Sequence, residues 1–135
     1  MTVRVRYKIT ASISSTSSEE KDLGNVAREV IYDGSGEGGT RKTTLAAGAT
    51  DVSLALADVA AATFLLIIVE PVDENESIDA IEVKKNDVGG EVIEIVPLSG
   101  SKQGHLLLST QSITALYASN PGTVDASITV MSAGD

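Results

Sequence analysis

The chain has no cysteine and no tryptophan, and among its 135 residues only three prolines, one phenylalanine, three tyrosines and one histidine. Without cysteine, neither a disulfide framework nor a thiolate metal site is available, and one histidine does not make an ordinary zinc site. The aromatics are Tyr7, Tyr32, Phe64 and Tyr117, so the core has to be aliphatic. Stacking platforms, on which sugar sites and single-stranded nucleic-acid sites usually rely, are correspondingly scarce. Basic charge is also short: 10 Lys and Arg stand against 19 Asp and Glu, for a formal net charge of −9. Phosphate backbones are held mainly by Lys and Arg, so nucleic acid is not expected as a partner. The longest apolar run, Phe64 to Val69, falls far below the roughly 20 residues that cross a bilayer, and no membrane partner is expected either. The opening Met-Thr-Val-Arg-Val-Arg lacks the apolar run of a signal peptide, which predicts a soluble chain made in a cytoplasm.

The length suits a single domain over residues 1–135. Such a domain buries about two thirds of the surface its unfolded chain exposes and needs no staple. Charge is uneven along it. Residues 1–67 carry seven basic and eight acidic groups, whereas residues 68–135 carry three and eleven. The plain reading of the acidic half is solubility; the functional one is a negative face that meets a basic partner.

Period-two patterning dominates. Val3, Val5, Tyr7, Ile9, Ala11 and Ile13 alternate with Thr2, Arg4, Arg6, Lys8, Thr10 and Ser12, which predicts a long N-terminal strand or arm over 1–14 with one apolar face. Ser14 to Asp22 reads as a polar loop with room for one helical turn, and Val26 to Tyr32 as a strand. The glycine-rich segment 33–40 reads as a flexible loop. Strands follow on either side of a turn at Ala47-Gly48, with a short helical turn over Asp58 to Ala62. Thr63 to Glu70 is a continuous aliphatic run, the pattern of a strand buried on both faces, and Pro71 ends it. Further strands are expected at Ile78 to Val83, Glu91 to Val96, Leu106 to Leu108, Ile113 to Ala118 and Val124 to Val130, with turns at Asn86 to Gly90 and Asn120-Pro121-Gly122. No amphipathic helix of three turns is visible. Eight or nine short strands predict an all-β fold, an antiparallel β-sandwich of jelly-roll or Greek-key type.

Motifs that carry chemistry are weak. Gly34-x-Gly36-x-x-Gly39 fits the dinucleotide-binding spacing, but the mechanism needs a following helix whose N-terminus holds the pyrophosphate, and a strand pattern follows instead. Gly39-Thr-Arg-Lys42-Thr43 lacks the glycine that a P-loop places before its lysine. His105 has Ser109 nearby in sequence but no nucleophile-elbow pattern. Asp73, Glu74, Glu76 and Asp79 form an acidic cluster in which a calcium loop is conceivable, although EF-hand spacing is absent. No catalytic, cofactor or metal site is therefore assigned. The basic stripe Arg4, Arg6 and Lys8, with a repeat of about 7 Å along one strand face, has two readings. It either pairs with carboxylates on a neighbouring strand, worth roughly 0.2–1 kcal/mol per pair, or meets an acidic surface of another subunit. With Arg41 and Lys42 it makes up the candidate partner interface.

The stretch Thr44-Leu-Ala-Ala-Gly-Ala-Thr-Asp-Val-Ser-Leu-Ala-Leu56, the run Thr63-Phe-Leu-Leu-Ile-Ile-Val69, and Ile113-Thr-Ala-Leu-Tyr-Ala-Ser-Asn-Pro-Gly122 with its closing strand to Gly134 resemble small β-sandwich virion proteins of tailed bacteriophages. The resemblance covers roughly residues 43–134 and leaves the first 42 outside. It implies a structural, non-enzymatic virion protein, foremost a capsid decoration or cement protein. Its implied partners are the major capsid protein or other virion subunits, and its own copies as a homo-oligomer, with a trimer favoured. A tail or head–tail accessory protein is the alternative within that resemblance, and a ligand-binding β-sandwich module the alternative outside it. The implied location is the virion, after synthesis in a host cytoplasm.

Overall fold

The computed structural model describes residues 3–15, 18–32, 37–56, 59–99 and 102–134; of residues 3–37 only Arg6 is described beyond its backbone. Among the described residues ten strands run in chain order: β1 (Val3–Ser15), β2 (Ser18–Tyr32), β3 (Glu37–Leu45), β4 (Val52–Leu54), β5 (Ala62–Pro71), β6 (Ile81–Lys85), β7 (Ile93–Ile95), β8 (Gly104–Ile113), β9 (Leu116–Ser119) and β10 (Ala126–Gly134). No helix occurs among the described residues. β1 and β2 pair with each other as a long antiparallel ribbon. The other eight form two four-stranded antiparallel sheets, ordered β3-β10-β5-β8 and β4-β9-β6-β7. That pair of orders is the eight-stranded jelly roll, two Greek keys in which chain neighbours change sheet at every connection except the β6–β7 hairpin. The expected all-β sandwich is the fold.

The sheets meet through one aliphatic core. Leu45, Leu65, Ile67, Val69, Ile113, Ala126, Ile128 and Val130 come from the first sheet, and Leu54, Ile81, Val83, Ile95, Leu116 and Ala118 from the second. Register keeps the inward rows aligned, with Val130 opposite Ile67 and Ile128 opposite Val69. Gly104 sits where the sheets come closest. A Cβ there would lie 2.8 Å from Ile95 Cγ2 and 3.0 Å from Val69 Cγ2, inside van der Waals contact.

Several boundaries differ from the sequence reading. The segment expected as a loop at Ser14 to Asp22 is largely strand, because β2 begins at Ser18 and pairs with β1 through bulges near Ser12 and Ser15. Backbone pairing satisfies the N–H and C=O groups there whatever the side chains are. The glycine-rich loop expected at 33–40 is strand from Glu37 onward, while 33–36 lie outside the described residues. No helical turn forms over 59–61; Val59 N–H donates to Leu56 O in a simple turn, and 57–58 lie outside the described residues. Ile113 to Ala118 is two strands in different sheets. Asn86 Oδ1 accepts from Thr114 N–H at 2.8 Å and fixes the corner between them.

Loops between the sheets are pinned at one end by a buried amide. Asn120 is fully buried; its Nδ2 donates to Leu45 O at 3.1 Å and Val124 O at 2.8 Å, and its Oδ1 accepts from Gly122 N–H at 3.1 Å. Its backbone exchanges hydrogen bonds with Gly48 and Ala49, across a turn in which Gly48 takes φ +77°. Nearby, Asp51 (φ 47°) donates its N–H to Ser119 Oγ and accepts from Lys84 Nζ at 3.0 Å.

Replacing Asn120 by alanine strands two carbonyls and one amide and is expected to cost about 1–3 kcal/mol. Asn120→Asp is expected to cost more at neutral pH, since a carboxylate would face two carbonyl oxygens. Urea denaturation of the three proteins checks both the loss and its order.

Candidate interaction surface

Alternation places Arg4, Arg6 and Lys8 on one face of β1. The register sets them opposite Ile31, Glu29 and Ala27 of β2, so a carboxylate stands directly across from Arg6 alone. Arg6 is exposed. Arg41 and Lys42 follow one another in β3, an edge strand of the first sheet, and so emerge on opposite faces. Lys42 lies opposite Thr129 on the outer face and approaches Glu70 at 3.8 Å. Arg41 lies opposite the inward-facing Val130, yet is exposed at the sheet edge, where it donates to Thr40 O at 3.2 Å. β1 and β3 share no sheet, so the pairing does not assemble the five basic residues into one row. Lysine, arginine and glycine along a long edge strand also hinder uncontrolled pairing with other chains.

A feature missed in sequence is the outer face of the β3-β10-β5-β8 sheet. The run Thr63 to Glu70 has the sequence pattern of a strand buried on both sides. Its inner residues Leu65, Ile67 and Val69 are buried, but Leu66 and Ile68 are only half-buried on the outer face. Register brings Met131 and Leu107 beside Leu66, and Thr129 and His105 beside Ile68. Leu107 is 36% exposed. The result is an apolar row, Leu66, Ile68, Leu107 and Met131, bordered by Lys42 and His105. The only sequence signal for it is that both parities of the run are aliphatic, a pattern shared by a central core strand.

The two ends of the sandwich expose further aliphatic residues. Val72, Val96 and Leu98 lie at the end that holds Asn120, at 56%, 64% and 63% exposure, and Val88 and Val92 lie at the other end. The Val72 and Leu98 loops are tied together, as Lys102 Nζ donates to Glu74 O at 2.9 Å. Between them an open cleft of about 200 Å³ is lined by Glu70, Pro71, Glu74, Lys102 and Gln103. Gln103 Nε2 donates to Glu70 Oε2 at 2.8 Å, so the polar lining is engaged with itself and does not converge on a ligand.

The acidic loop is organised by its own chain. Asp73 Oδ1 accepts from Asn75 N–H at 2.9 Å and Asn75 Nδ2 at 3.0 Å. Among the described residues no three His, Asp or Glu side chains gather to hold a metal. His105 and Ser109 are both exposed on β8. Four residues of strand, roughly 13 Å, separate them, too far for a nucleophile–base pair. The glycines of the dinucleotide and P-loop spacings lead into strand β3, which offers no helix N-terminus to a phosphate.

Two measurements test this surface. The Asn75 backbone N–H, then its side chain, hold the Asp73 carboxyl below the ordinary carboxylate range. Its hydrogen bonds therefore contribute above the unfolded pKa and are lost as pH falls through the lower folded one. Carbon-detected NMR titration is expected to place Asp73 below a free aspartate, and Asn75→Ala to return it part of the way upward. Separately, Ser127 Oγ is buried without a hydrogen-bond partner beside Lys42 and Glu70. Ser127→Ala is thus expected to leave the denaturation midpoint unchanged or raised, since no hydrogen bond is lost.

No family model, no curated protein and no solved structure matches the chain.

Proposed function

We propose that this jelly roll is a structural protein of a tailed-bacteriophage virion, a capsid decoration protein that acts through protein–protein contacts. The observation that carries the reading is the distribution of exposed aliphatic side chains on a rigid roll: Val72, Val96 and Leu98 at one end, Val88 and Val92 at the other, and Leu107 on the outer sheet face. Large apolar residues exposed in groups mark contact surfaces. The polar groups near the described cleft are paired with one another, which favours contact over small-ligand binding. The resemblance of residues 43–134 to phage β-sandwich virion proteins supplies the setting. A decoration protein repeats one modest contact at many equivalent sites, and oligomerisation multiplies such contacts by avidity. The basic residues Arg4, Arg6 and Lys8 are the part proposed to meet the acidic surface of another subunit, the major capsid protein foremost.

Immunogold electron microscopy with an antibody against this chain, on particles from the strain that carries it, tests the reading. Label spread over the capsid is the expected result. Label confined to the tail or neck would transfer the chain to the accessory class, and particles without label would remove it from the virion. Charge reversal at Arg4, Arg6 and Lys8 together is expected to release the protein from particles at lower salt than the parent, measured by co-sedimentation.

A further inference from the structure

Two clefts flank Glu70 at the end of β5. In the one that holds Gln103 the polar groups are paired with one another. The second, of about 140 Å³, is lined by Lys42, Thr44, Glu70, Pro71, Val72 and Ser127. Strand register builds it. β10 runs between β3 and β5 and sets Ser127 opposite both Thr44 and Glu70. Ala126 and Ile128 face the core, so Ser127 faces outward and forms the floor, with β3 and β5 as walls.

This cleft, unlike its neighbour, has hydrogen-bonding capacity left open. Ser127 is 5% exposed, and its Oγ has no hydrogen-bond partner among the described residues. A buried hydroxyl in that state is uncommon and calls for a reason. Glu70 Oε2 accepts from Gln103 Nε2 at 2.8 Å, whereas Oε1 stands 3.8 Å from Lys42 Nζ, outside hydrogen-bond range. A carboxylate oxygen that only accepts thus faces an ammonium that only donates, beside a hydroxyl that does both.

That combination narrows the ligand. Glu70 repels an anion and Lys42 repels a cation. A neutral hydroxyl donates to Glu70 and accepts from Lys42 through one atom, and a second hydroxyl beside it serves Ser127. Pro71 and the exposed Val72 offer an apolar border for C–H groups, in place of an aromatic platform. We propose that this cleft is a saccharide subsite, in which adjacent hydroxyls of one sugar ring bridge Glu70 and Lys42 over Ser127 while the ring's C–H face lies against Pro71 and Val72. The Lys42 side chain is 65% exposed and free to swing outward, which uncovers the serine hydroxyl. The volume is below the roughly 300–1,000 Å³ of pockets that enclose a drug-sized ligand, so the subsite holds one ring and the rest of a glycan stays outside. The inference does not rest on the virion reading; it adds a ligand to it.

Backbone amide shifts of the full-length chain, followed by NMR during titration with methyl α-glucoside, methyl β-galactoside and methyl α-mannoside in turn, test the subsite. The three glycosides differ in hydroxyl orientation at the second and fourth ring carbons and so vary the adjacent pairs on offer. At least one is expected to give saturable shifts centred on Thr44, Glu70, Val72 and Ser127. Ser127→Ala is expected to weaken that affinity about three- to tenfold, and Glu70→Gln about tenfold or more. Glu76→Gln, outside the cleft, is expected to leave it unchanged. Absence of a saturable shift with all three glycosides overturns the proposal, as does binding that survives both cleft substitutions at full strength. Ser127→Ala breaks no hydrogen bond of the fold, so it decides the question even where Glu70→Gln disturbs β5. A chain that labels particles but binds no glycoside ends this inference and leaves the functional reading standing; one that binds glycoside but labels no particle does the reverse.

Discussion

The fold depends on a buried carboxamide at one end of the roll. Asn120 reaches the last carbonyl of β3 and the carbonyl of Val124 just before β10, while its backbone closes on the turn at Gly48 and Ala49. Those partners lie on two of the four connections that pass between sheets at that end of the roll. In a low-dielectric core each such bond is strong and each missing one is costly. The aliphatic residues make the slab cohesive, but cohesion is non-directional. It is the set of satisfied polar bonds, at Asn120, at Asn86 beside Thr114, and at Asp51 beside Lys84, that fixes which strand turns where.

Much of this was legible because alternation reports burial directly. β10 announced itself through Ala126, Ile128 and Val130, and those residues are in the core. The turns at Asn86 and Asn120-Pro121-Gly122 were readable from residue type, since Asn tolerates the left-handed region and pairs with nearby backbone; Asn86 has φ 66°. What escaped was set by partners distant in sequence. The polar stretch near Ser18 becomes strand because β1 lies beside it. Ile113 and Leu116 look continuous until a side chain from residue 86 separates them.

The candidate surface was legible only in part. Basic residues stand out in an acidic chain, yet consecutive Arg41 and Lys42 diverge to opposite faces as soon as the strand forms. The outer apolar row was hidden for a deeper reason. A strand with aliphatic residues at both parities is written the same way whether its second face meets a sheet of its own chain or stands at the surface. Composition registers the demand for cover without saying who provides it. A fold whose cleft-lining polar groups at Glu70 and Gln103 pair with one another and which leaves aliphatic residues in view is suited to recognising protein surfaces, where shape complementarity matters more than a converging set of donors.

The strand order has a temporal consequence. β3, the first strand of the roll, takes β10, the last, as its neighbour. On the ribosome the leading strand must therefore wait for nearly the whole chain to emerge before its edge is matched. Closing so wide a loop makes folding slow, and the unmatched edge is exposed to neighbouring nascent copies during that delay. The Gly38-Gly39-Thr40-Arg41-Lys42 stretch of β3, poor in apolar side chains, is a suitable guard for that interval.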